Sequence, residues 1–180
     1  MPRALCGKVI LLTGGSIETT IAAARTLTAS GASVIMTYSE PMRLAEISPQ
    51  ISPEVVIVKN DAGGLKDGNK LAEFLRKKRV ILDKIDFNVS VSGFASLGSR
   101  LEDGWDNVFR QSVKGPFLFL TSLVPILNPG GTIRMWTPEC AKFSVPSAAS
   151  KAAVILLRHA LSQELSSQDI SIDLNDRPCG

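Results

Sequence analysis

The 180-residue chain has few of the residues that mark specialised protein classes. It contains one histidine and three widely spaced cysteines, Cys6, Cys140 and Cys179, and aromatic residues make up only 6% of it. This spacing excludes a disulfide framework and a zinc finger, and an odd number of thiols suits a reducing compartment. No histidine and cysteine cluster predicts a metal site. We therefore expect a cytoplasmic protein without a bound metal.

Charge and hydrophobic runs exclude two further classes of partner. Twenty Lys and Arg against seventeen Asp and Glu leave a net charge of +3 without a basic block, so we expect no nucleic-acid partner. The longest uncharged apolar stretch, Gly115 to Ile133, is interrupted by prolines, which indicates a buried helix and a turn. The N-terminal residues Met1 to Lys8 carry no apolar leader. We therefore expect no membrane partner.

Short β-branched segments alternate with helical patterns along the chain. The predicted strands are Lys8–Leu12, Ser33–Thr37, Glu54–Lys59, Ile85–Val91, Gly131–Thr137 and Ile170–Leu174. The predicted helices are Ile17–Ser30, Gly68–Lys78, Gly104–Leu127, which we expect to bend near Pro116, and Ser147–Leu165. Strands that are apolar on both faces and separated by helices imply a doubly wound, mostly parallel α/β sheet. We expect one Rossmann-like domain over residues 1–180.

Five short motifs follow one another in an order that resembles a known family. Thr13–Ser16 and the helix after it resemble a TGxxxGxG turn, and Asp61 follows the third strand, where the family has an adenine-contacting acid. Trp105-Asp106 and Val113–Phe117 resemble its fourth helix, and Ser150–Ala153 resembles the end of its YxxxK helix. The family is the short-chain dehydrogenase/reductase family, and the resemblance covers essentially the whole chain. It implies a Rossmann-like fold.

The chain departs from this family where the family contacts its nicotinamide cofactor. Aligned on the first threonine of the motif, the second and third glycines become Glu18 and Thr20. Glycine there lets the pyrophosphate approach the backbone and the helix pack on the strand. A partly desolvated Glu18 carboxylate about 4 Å from a phosphate would cost on the order of 1–4 kcal/mol. We therefore expect no cofactor, with Gly14, Gly15 and Asp61 as vestiges; the alternative is NADP.

The residues that carry the family's chemistry are also replaced. The catalytic tyrosine is Ser147, four residues before Lys151. Because the pKa of an alkanol lies several units above that of a phenol, Lys151 cannot make Ser147 a useful acid near pH 7. The other replacements are Ser112 for the asparagine of the fourth helix, Thr137 or Pro138 for the serine after strand five, and Ser90-Val91-Ser92-Gly93 for the NNAG motif after strand four.

Three functions are compatible with this pattern. The first is a cofactor-independent cyclase, isomerase or lyase that acts on a small hydrophobic molecule in the former cofactor cleft. The alternatives are an NADP-dependent short-chain oxidoreductase and a non-catalytic binding or partner subunit. The catalytic candidates are the polar groups that the fold would gather at the strand carboxyl ends: Lys151, Ser147, Ser112, Thr137, Glu18 and Asp176. An ammonium group can stabilise an oxyanion, so we expect Lys151 to be the most sensitive of them.

Purely structural roles compete with these assignments. Ser147 fits a helix N-cap, and Glu18 suits the first turn of a helix. Ser112 fits a mid-helix hydroxyl that bonds back to the preceding turn. His159 shares a helical face with apolar residues, which favours a core or interface position over a general base. Arg134 lies in a strand that we expect to be covered on both sides, so it needs a carboxylate or solvent.

Two expectations concern the assembly of the chain. The predicted helices Gly104–Leu127 and Ser147–Leu165 are apolar on more than one face. Because the resemblance implies pairing through these helices, we expect a homodimer. The chain ends near the family's PG motif after the sixth strand, so we expect it to lack the C-terminal segment that covers the substrate in the family.

Overall fold

A computed structural model describes residues 4–14, 17–38, 48–60, 64–88, 101–137 and 145–175. Over these residues six strands form one parallel sheet of order β3-β2-β1-β4-β5-β6. The strands are β1 Val9–Gly14, β2 Ser33–Tyr38, β3 Val56–Lys59, β4 Leu82–Asn88, β5 Leu127–Trp136 and β6 Ser171–Asn175. The strand order reverses between β1 and β4, which creates the crevice where doubly wound folds bind ligands. The predicted doubly wound α/β fold is confirmed.

Five α-helices flank the sheet in the described part of the chain. They are α1 Ile17–Ala29, α2 Leu65–Lys77, α3 Leu101–Phe109, α4 Gly115–Leu123 and α5 Val145–Ser166, with short 3₁₀ turns at Ser48–Gln50 and Val124–Ile126. A π-helical segment, Arg110–Lys114, joins α3 to α4. The sequence predicts a bend near Pro116, and what the structure shows just before this proline is a π-helical segment; Pro116 lacks an N–H, so the regular hydrogen-bond ladder is interrupted there. Within the described ranges, no helix has the length and apolar character needed to cross a membrane.

Strand β5 begins four residues before its predicted start, and strand β4 also lies earlier than predicted. Strand β4 begins three residues before the predicted Ile85 and ends at Asn88, so the end of the predicted strand lies outside the described residues. Asp83 and Lys84 look like loop residues in the sequence. However, the Asp83 carboxylate accepts hydrogen bonds at the start of the strand, and Lys84 lies on a polar part of the sheet. Charged residues at these positions are therefore compatible with a central strand.

The sheet has one face that is covered by helices along its whole width. In β4–β6 this covered face consists of Ile85, Phe87, Ile133, Met135 and Ile172, and each of these side chains is at most 3% exposed. Helices α2, α4 and α5 supply the apolar side chains that pack on it. The rings of Phe87 and Phe119 lie 5.5 Å apart between their centroids. This layer forms the larger of the two hydrophobic cores.

The described residues cover the opposite face only in part. Over β1 and β2, helix α1 packs Ile21 and Ala24 on an apolar surface, which forms the smaller core. Over β4–β6 the same face carries Lys84, Asp86, Arg134 and Asp173, and we call these four residues the open face. Neither of the two apolar cores of the described residues extends onto it. The sheet is therefore polar on one side of its second half.

Candidate active site

The turn between β1 and α1 keeps the backbone geometry of a nucleotide-binding turn. Gly14 has a φ of 73°, a conformation that side chains disfavour, and a Cβ there would collide with the backbone oxygen of Asn88. Below it, the buried Thr37 hydroxyl donates a 2.8 Å hydrogen bond to Thr13 Oγ1. Glycine is therefore required at position 14, because β1 and β4 approach each other closely at their carboxyl ends.

Both replaced glycines of the motif are accommodated in three dimensions. Glu18 is exposed in the first turn of α1, where a negative charge also stabilises the helix. In bulk water two charges about 4 Å apart interact by only about 1 kcal/mol, so an exposed Glu18 repels a phosphate weakly. Thr20 Oγ1 donates a hydrogen bond to the Gly14 carbonyl oxygen at 3.2 Å. The larger side chain therefore ties the helix to the turn.

A cavity of about 290 Å³ opens between this turn and the open face. Helix α1 forms one side, the ends of β1 and β4 form the floor, and Trp136 of β5 forms the far wall. The lining residues are Leu12, Thr13, Gly14, Thr19, Thr20, Ala23, Asp86, Asn88 and Trp136. The cavity therefore lies at the strand-order reversal, where the fold predicts a ligand.

Four of the six catalytic candidates are buried polar side chains. Ser112 and Thr137 are fully buried, Ser147 is 2% exposed and Lys151 is 8% exposed. Helix α5 carries Ser147 and Lys151 one turn apart, which places them on one helical face. The same helix packs against the π segment that carries Ser112. Because polar groups are costly to bury, this set is the candidate site, and its catalytic role stays a prediction.

The structural roles expected for two of these residues are wrong. Helix α5 begins at Val145, so Ser147 lies inside the first turn and is not the N-cap. Ser112 does not bond back to the preceding turn, because its buried Oγ has no hydrogen-bond partner among the described residues. The π turn causes this, since it changes the backbone register around Ser112. A buried hydroxyl without a partner is a natural site for a ligand oxygen.

Of the remaining two candidates, only Glu18 can be placed. Glu18 is exposed on α1. Asp176 lies outside the described residues, as do Gly15, Asp61 and the segment Ser90–Gly93, so nothing is added to their predicted roles. Sequence reasoning did not select Asn88, which ends β4 two residues before that segment and lines the cavity.

Sequence reasoning found Arg134 but missed its partner. Arg134 Nη1 lies 3.9 Å from Asp86 Oδ2, and Lys84 Nζ lies 3.7 Å from the same oxygen. Trp136 Nε1 donates to Asp86 Oδ1 at 2.7 Å. The carboxylate expected for Arg134 is therefore Asp86. The alternation of charged and apolar residues from Lys84 to Phe87 could have identified a strand with one polar face.

The described part of the chain offers neither a buried histidine nor a metal-binding cluster. His159 is exposed on α5, with Nδ1 3.5 Å from Arg158 Nη1. A core position for it is excluded, while an interface position stays a prediction. The described residues hold no set of three His, Cys, Asp or Glu side chains that could bind a metal ion.

Comparisons with known proteins agree with this geometry. A family profile described as Enoyl-(Acyl carrier protein) reductase matches residues 19–174. Short chain dehydrogenase/reductase dmxR18 of Cryptosporiopsis is 28% identical over 96% of this chain and 69% of its own. The RhlG/NADP active-site complex of Pseudomonas aeruginosa superposes with a TM-score of 0.82 at 24% identity, covering 96% and 72% of the two chains. A short chain dehydrogenase of Burkholderia cenocepacia in complex with NADP gives 0.80 at 22% identity, covering 95% and 74%.

These findings correct the expectation that the chain binds no cofactor. Two of the similar structures contain NADP, and the profile belongs to a reductase family. The expectation failed because it assumed a desolvated Glu18 and a steric conflict at Thr20, and neither is present. The comparisons therefore favour the oxidoreductase alternative over a cofactor-independent cyclase, isomerase or lyase.

Proposed function

The chain belongs to the short-chain dehydrogenase/reductase family, and from this premise we propose that it is an NADP-dependent oxidoreductase. Its reaction would interconvert a carbonyl and a hydroxyl group on a small hydrophobic molecule. The observation that carries the proposal is the burial of Ser112, Ser147 and Lys151, the last two on a helix that packs against the π segment of Ser112. Their hydroxyl and ammonium groups suit a substrate oxygen whose charge changes during reaction.

The residues of the β1–α1 turn suit a dinucleotide. The N-terminus of α1 and the backbone at Gly14 would hold the pyrophosphate, because glycine lets the phosphates approach the main chain. Bound there, a nicotinamide dinucleotide supplies or accepts the hydride. The cavity beside Gly14 has hydroxyl groups from Thr19 and Thr20, which suit ribose and phosphate oxygens.

Proton transfer must proceed without the family's tyrosine. In the reducing direction, the Ser147 hydroxyl donates its proton to the substrate oxygen while it accepts a proton from Lys151 Nζ. In this relay Lys151 is the net acid, and the Ser147 hydroxyl passes a proton on without having to act as an acid on its own. Ser112 Oγ can donate a further hydrogen bond to the same substrate oxygen. Burial of all three side chains excludes water from this step.

A binding and turnover experiment tests the proposal. Purified protein is titrated with NADPH and with NADH in a calorimeter, and reduced-nicotinamide absorbance is then followed with a panel of ketones and aldehydes. We expect NADPH to bind and at least one carbonyl class to be reduced. Absence of binding by both dinucleotides would remove the proposal and leave a non-catalytic binding or partner subunit.

The Lys151→Met variant tests the role of the ammonium group. We expect turnover to fall by roughly a hundredfold or more, because a preorganised donor to a developing oxyanion is removed. The unfolding midpoint should stay close to that of the wild type. Lys70→Met is the control, since Lys70 is an exposed lysine paired with Asp67 on α2. Normal turnover with a large loss of stability would make Lys151 purely structural.

We also propose a homodimer formed through α3, α4 and α5. Two large side chains on these helices point to solvent in the single chain: Trp105 is 38% exposed and Leu156 is 69% exposed. A second copy would remove this apolar surface from water. Leu156→Glu should shift the protein to a monomer in light scattering, and a wild-type monomer would contradict the proposal.

The predicted cytoplasmic location remains part of the proposal. Cys6 is an exposed free thiol, which suits a reducing compartment. Fractionation of the native host, with the protein followed by antibody, would test this location. Recovery in an oxidising compartment would contradict it.

A further inference from the structure

Helix α2 concentrates the positive charge of the chain. Residues 65–79, which comprise α2 and the two residues after it, contain six Lys and Arg and two Asp and Glu. Their net charge is therefore +4, whereas the whole chain carries +3, so the remaining residues together carry −1. The small net charge of the chain thus hides an uneven distribution, in which one helical segment supplies the whole positive excess.

All six basic side chains of this segment are exposed, and we call them the basic surface: Lys66, Lys70, Arg76, Lys77, Lys78 and Arg79. Two of them have an acidic partner on the same helix. Lys70 Nζ lies 3.7 Å from Asp67 Oδ1. Lys77 Nζ lies 2.7 Å from Glu73 Oε1. The other four have no acidic partner among the described residues, so their charges are available to a partner molecule.

The end of α2 presents four basic residues in succession. Arg76 and Lys77 lie in the last turn, where a cation also stabilises the helix dipole. Lys78 is the C-cap, and Arg79 follows in a left-handed conformation with a φ of 55°. The Arg79 N–H donates to the Arg76 carbonyl oxygen at 2.9 Å, so the chain turns while all four side chains stay exposed. Because neighbouring like charges repel one another, four cations exceed what the helix end needs.

An exposed apolar side chain lies at each end of this segment. Leu65, the first residue of α2, is 47% exposed, and Ile81, two residues after Arg79, is 54% exposed. A helix of 13 residues is about 20 Å long, so these two groups flank the basic surface at opposite ends. Basic side chains beside exposed aliphatic ones suit the boundary between lipid headgroups and acyl chains.

The π segment extends the positive charge beyond α2. Lys66 borders a pocket of about 280 Å³ together with Arg110 and Lys114, which are exposed residues of the π segment. One acidic residue, Asp67, lies among the described residues that line this pocket. A polyanionic partner would therefore meet cations from two neighbouring elements rather than from a single helix end.

Two classes of polyanion carry enough charge to bind such a surface. Nucleic acids are bound by cations that contact phosphates and by aromatic or polar groups that contact bases, so exposed aliphatic side chains contribute little. An anionic bilayer can use both the cations and the aliphatic groups. The expectation of no membrane partner rested on the lack of a spanning segment and of a leader, and contact with a bilayer surface requires neither.

We propose that the basic surface, together with Leu65 and Ile81, docks this protein on an anionic lipid bilayer. The cations bind the headgroups, and the two aliphatic side chains enter the boundary beneath them. Each Lys or Arg near an anionic bilayer strengthens binding about fivefold. The proposal concerns where the protein lies and does not depend on the reaction that it catalyses.

Co-sedimentation of the full chain with lipid vesicles tests the proposal. One vesicle preparation contains phosphatidylcholine alone, and the other contains phosphatidylcholine mixed with phosphatidylserine. We expect binding to the mixed vesicles only, and we expect it to weaken as salt is added, because ions screen exposed charges. Binding to neither preparation, or equal binding to both, would overturn the proposal.

Charge-removing variants test whether α2 is the surface involved. The triple variant Arg76→Gln/Lys78→Gln/Arg79→Gln leaves the Lys77 pair intact and should bind mixed vesicles roughly a hundredfold more weakly. Lys78→Gln alone should lose about fivefold. Its matched control is Arg25→Gln, on helix α1 across the sheet, which should bind like the wild type. Equal losses in the two single variants would assign the effect to net charge and overturn the α2 surface.

Ile81→Ser separates a bilayer from a nucleic acid. Each methylene withdrawn from water contributes about fourfold, so this variant should bind mixed vesicles at least roughly fourfold more weakly. A short DNA duplex is the second probe. Tighter binding to the duplex than to vesicles, unaffected by Ile81→Ser, would identify a nucleic-acid surface and overturn the bilayer. Thermal unfolding checks that each variant is folded. Vesicle binding and the dinucleotide titration are separate measurements, so either proposal can fail alone.

Discussion

The two faces of strands β4, β5 and β6 are built from alternate residues of the same segments, but one face is apolar and buried and the other is charged and partly exposed. On the covered face, Ile85, Ile133 and Met135 are fully buried under helices. On the open face, the Lys84 and Arg134 side chains keep 19% and 37% of their surface exposed and share the Asp86 carboxylate. The first face supplies hydrophobic stabilisation, and the second supplies charge at the edge of a cavity.

This difference indicates what can pack on each side. An apolar helix on the open face would strip water from four charged side chains, which costs more than its own burial returns. The open face therefore disfavours an apolar covering layer. Trp136, at the end of β5 on this side, lines the cavity. A ligand site is compatible with the second half of this sheet because its polar face is not needed for the core.

The largest expected effect tests the covered face. Phe87→Ala should lower the free energy of unfolding by about 3–5 kcal/mol, because it removes a buried ring that contacts Phe119 and leaves a void. Urea unfolding followed by circular dichroism measures it. Thr132→Ala is the matched control on the polar side, where the exposed hydroxyl pair with Ser171 should contribute about 0.5 kcal/mol or less. Equal losses in both variants would remove the contrast.

The second prediction concerns a carboxylate at the start of β4. Asp83 is tolerated there because it accepts hydrogen bonds from Val9 N at 2.8 Å, Lys8 Nζ at 3.0 Å and Asn128 Nδ2 at 3.2 Å. Asp83→Ala leaves these donors without their acceptor and should cost about 1–3 kcal/mol near neutral pH. Chemical unfolding measures the loss. A loss below that of Thr132→Ala would contradict this account.

The same residue predicts an acid dependence. Burial alone raises the pKa of Asp83, but the three hydrogen bonds and the Lys8 charge outweigh it and lower the pKa below 3.8. A depressed carboxyl pKa stabilises the fold above the unfolded-state value, and this contribution is lost as the pH falls through the folded-state value. The difference between wild type and Asp83→Ala should therefore shrink below pH 3.8. A difference that stays constant would argue against it.

A smaller effect is expected on the open face at alkaline pH. Burial lowers the pKa of Lys84 below 10.5; Asp86 and Asp173 oppose this shift and Arg134 adds to it. The folded state then binds fewer protons than the unfolded state as the pH rises towards 10.5, so stability increases with pH in that window. Lys84→Met should lack this increase and differ from the wild type by less than about 1 kcal/mol near pH 7. Parallel stability curves would contradict the prediction.

The smallest expected effect is that of Arg134→Gln. At 3.9 Å and with a side chain that is 37% exposed, the pair with Asp86 is weak, so the free energy of unfolding should change by about 0.5 kcal/mol or less. The buried Nε of Arg134 also has no partner among the described residues, and its removal relieves that cost. A loss comparable with that of Asp83→Ala would show that the open face contributes to stability after all.

The fold was predictable because the pattern of apolar residues that marks each strand and helix lies within a short stretch of the sequence. Each strand reads as a short apolar run and each helix as a longer apolar pattern, and both types of element remain recognisable when their ends shift by up to four residues. Strand β4 was placed too late because Asp83 and Lys84 resemble a loop. Their partners come from β1, β5 and the same polar face, which no local window contains.

Only part of the candidate site was predictable from motifs. Alignment selected Ser147 and Lys151, four residues apart on one helix, together with Ser112 and Thr137; all four are buried, and their catalytic roles stay predictions. The bond between Trp136 and Asp86 joins residues 50 positions apart, and only the strand order brings them together. The cofactor expectation failed for a related reason, because the exposure of Glu18 and the bond of Thr20 are properties of the assembled turn.

The central position of β1 in the sheet also affects how the chain is made. One edge of β1 pairs with β2 soon after synthesis, but its other edge must wait for β4, since Val9 and Asp83 are 74 residues apart. At about 5–20 residues per second, a ribosome needs roughly 4–15 s to make these 74 residues. During that interval the nascent protein displays an apolar strand with unpaired N–H and C=O groups, which is a template for aggregation. Slower translation prolongs this exposure, so we expect it to lower the yield of folded protein.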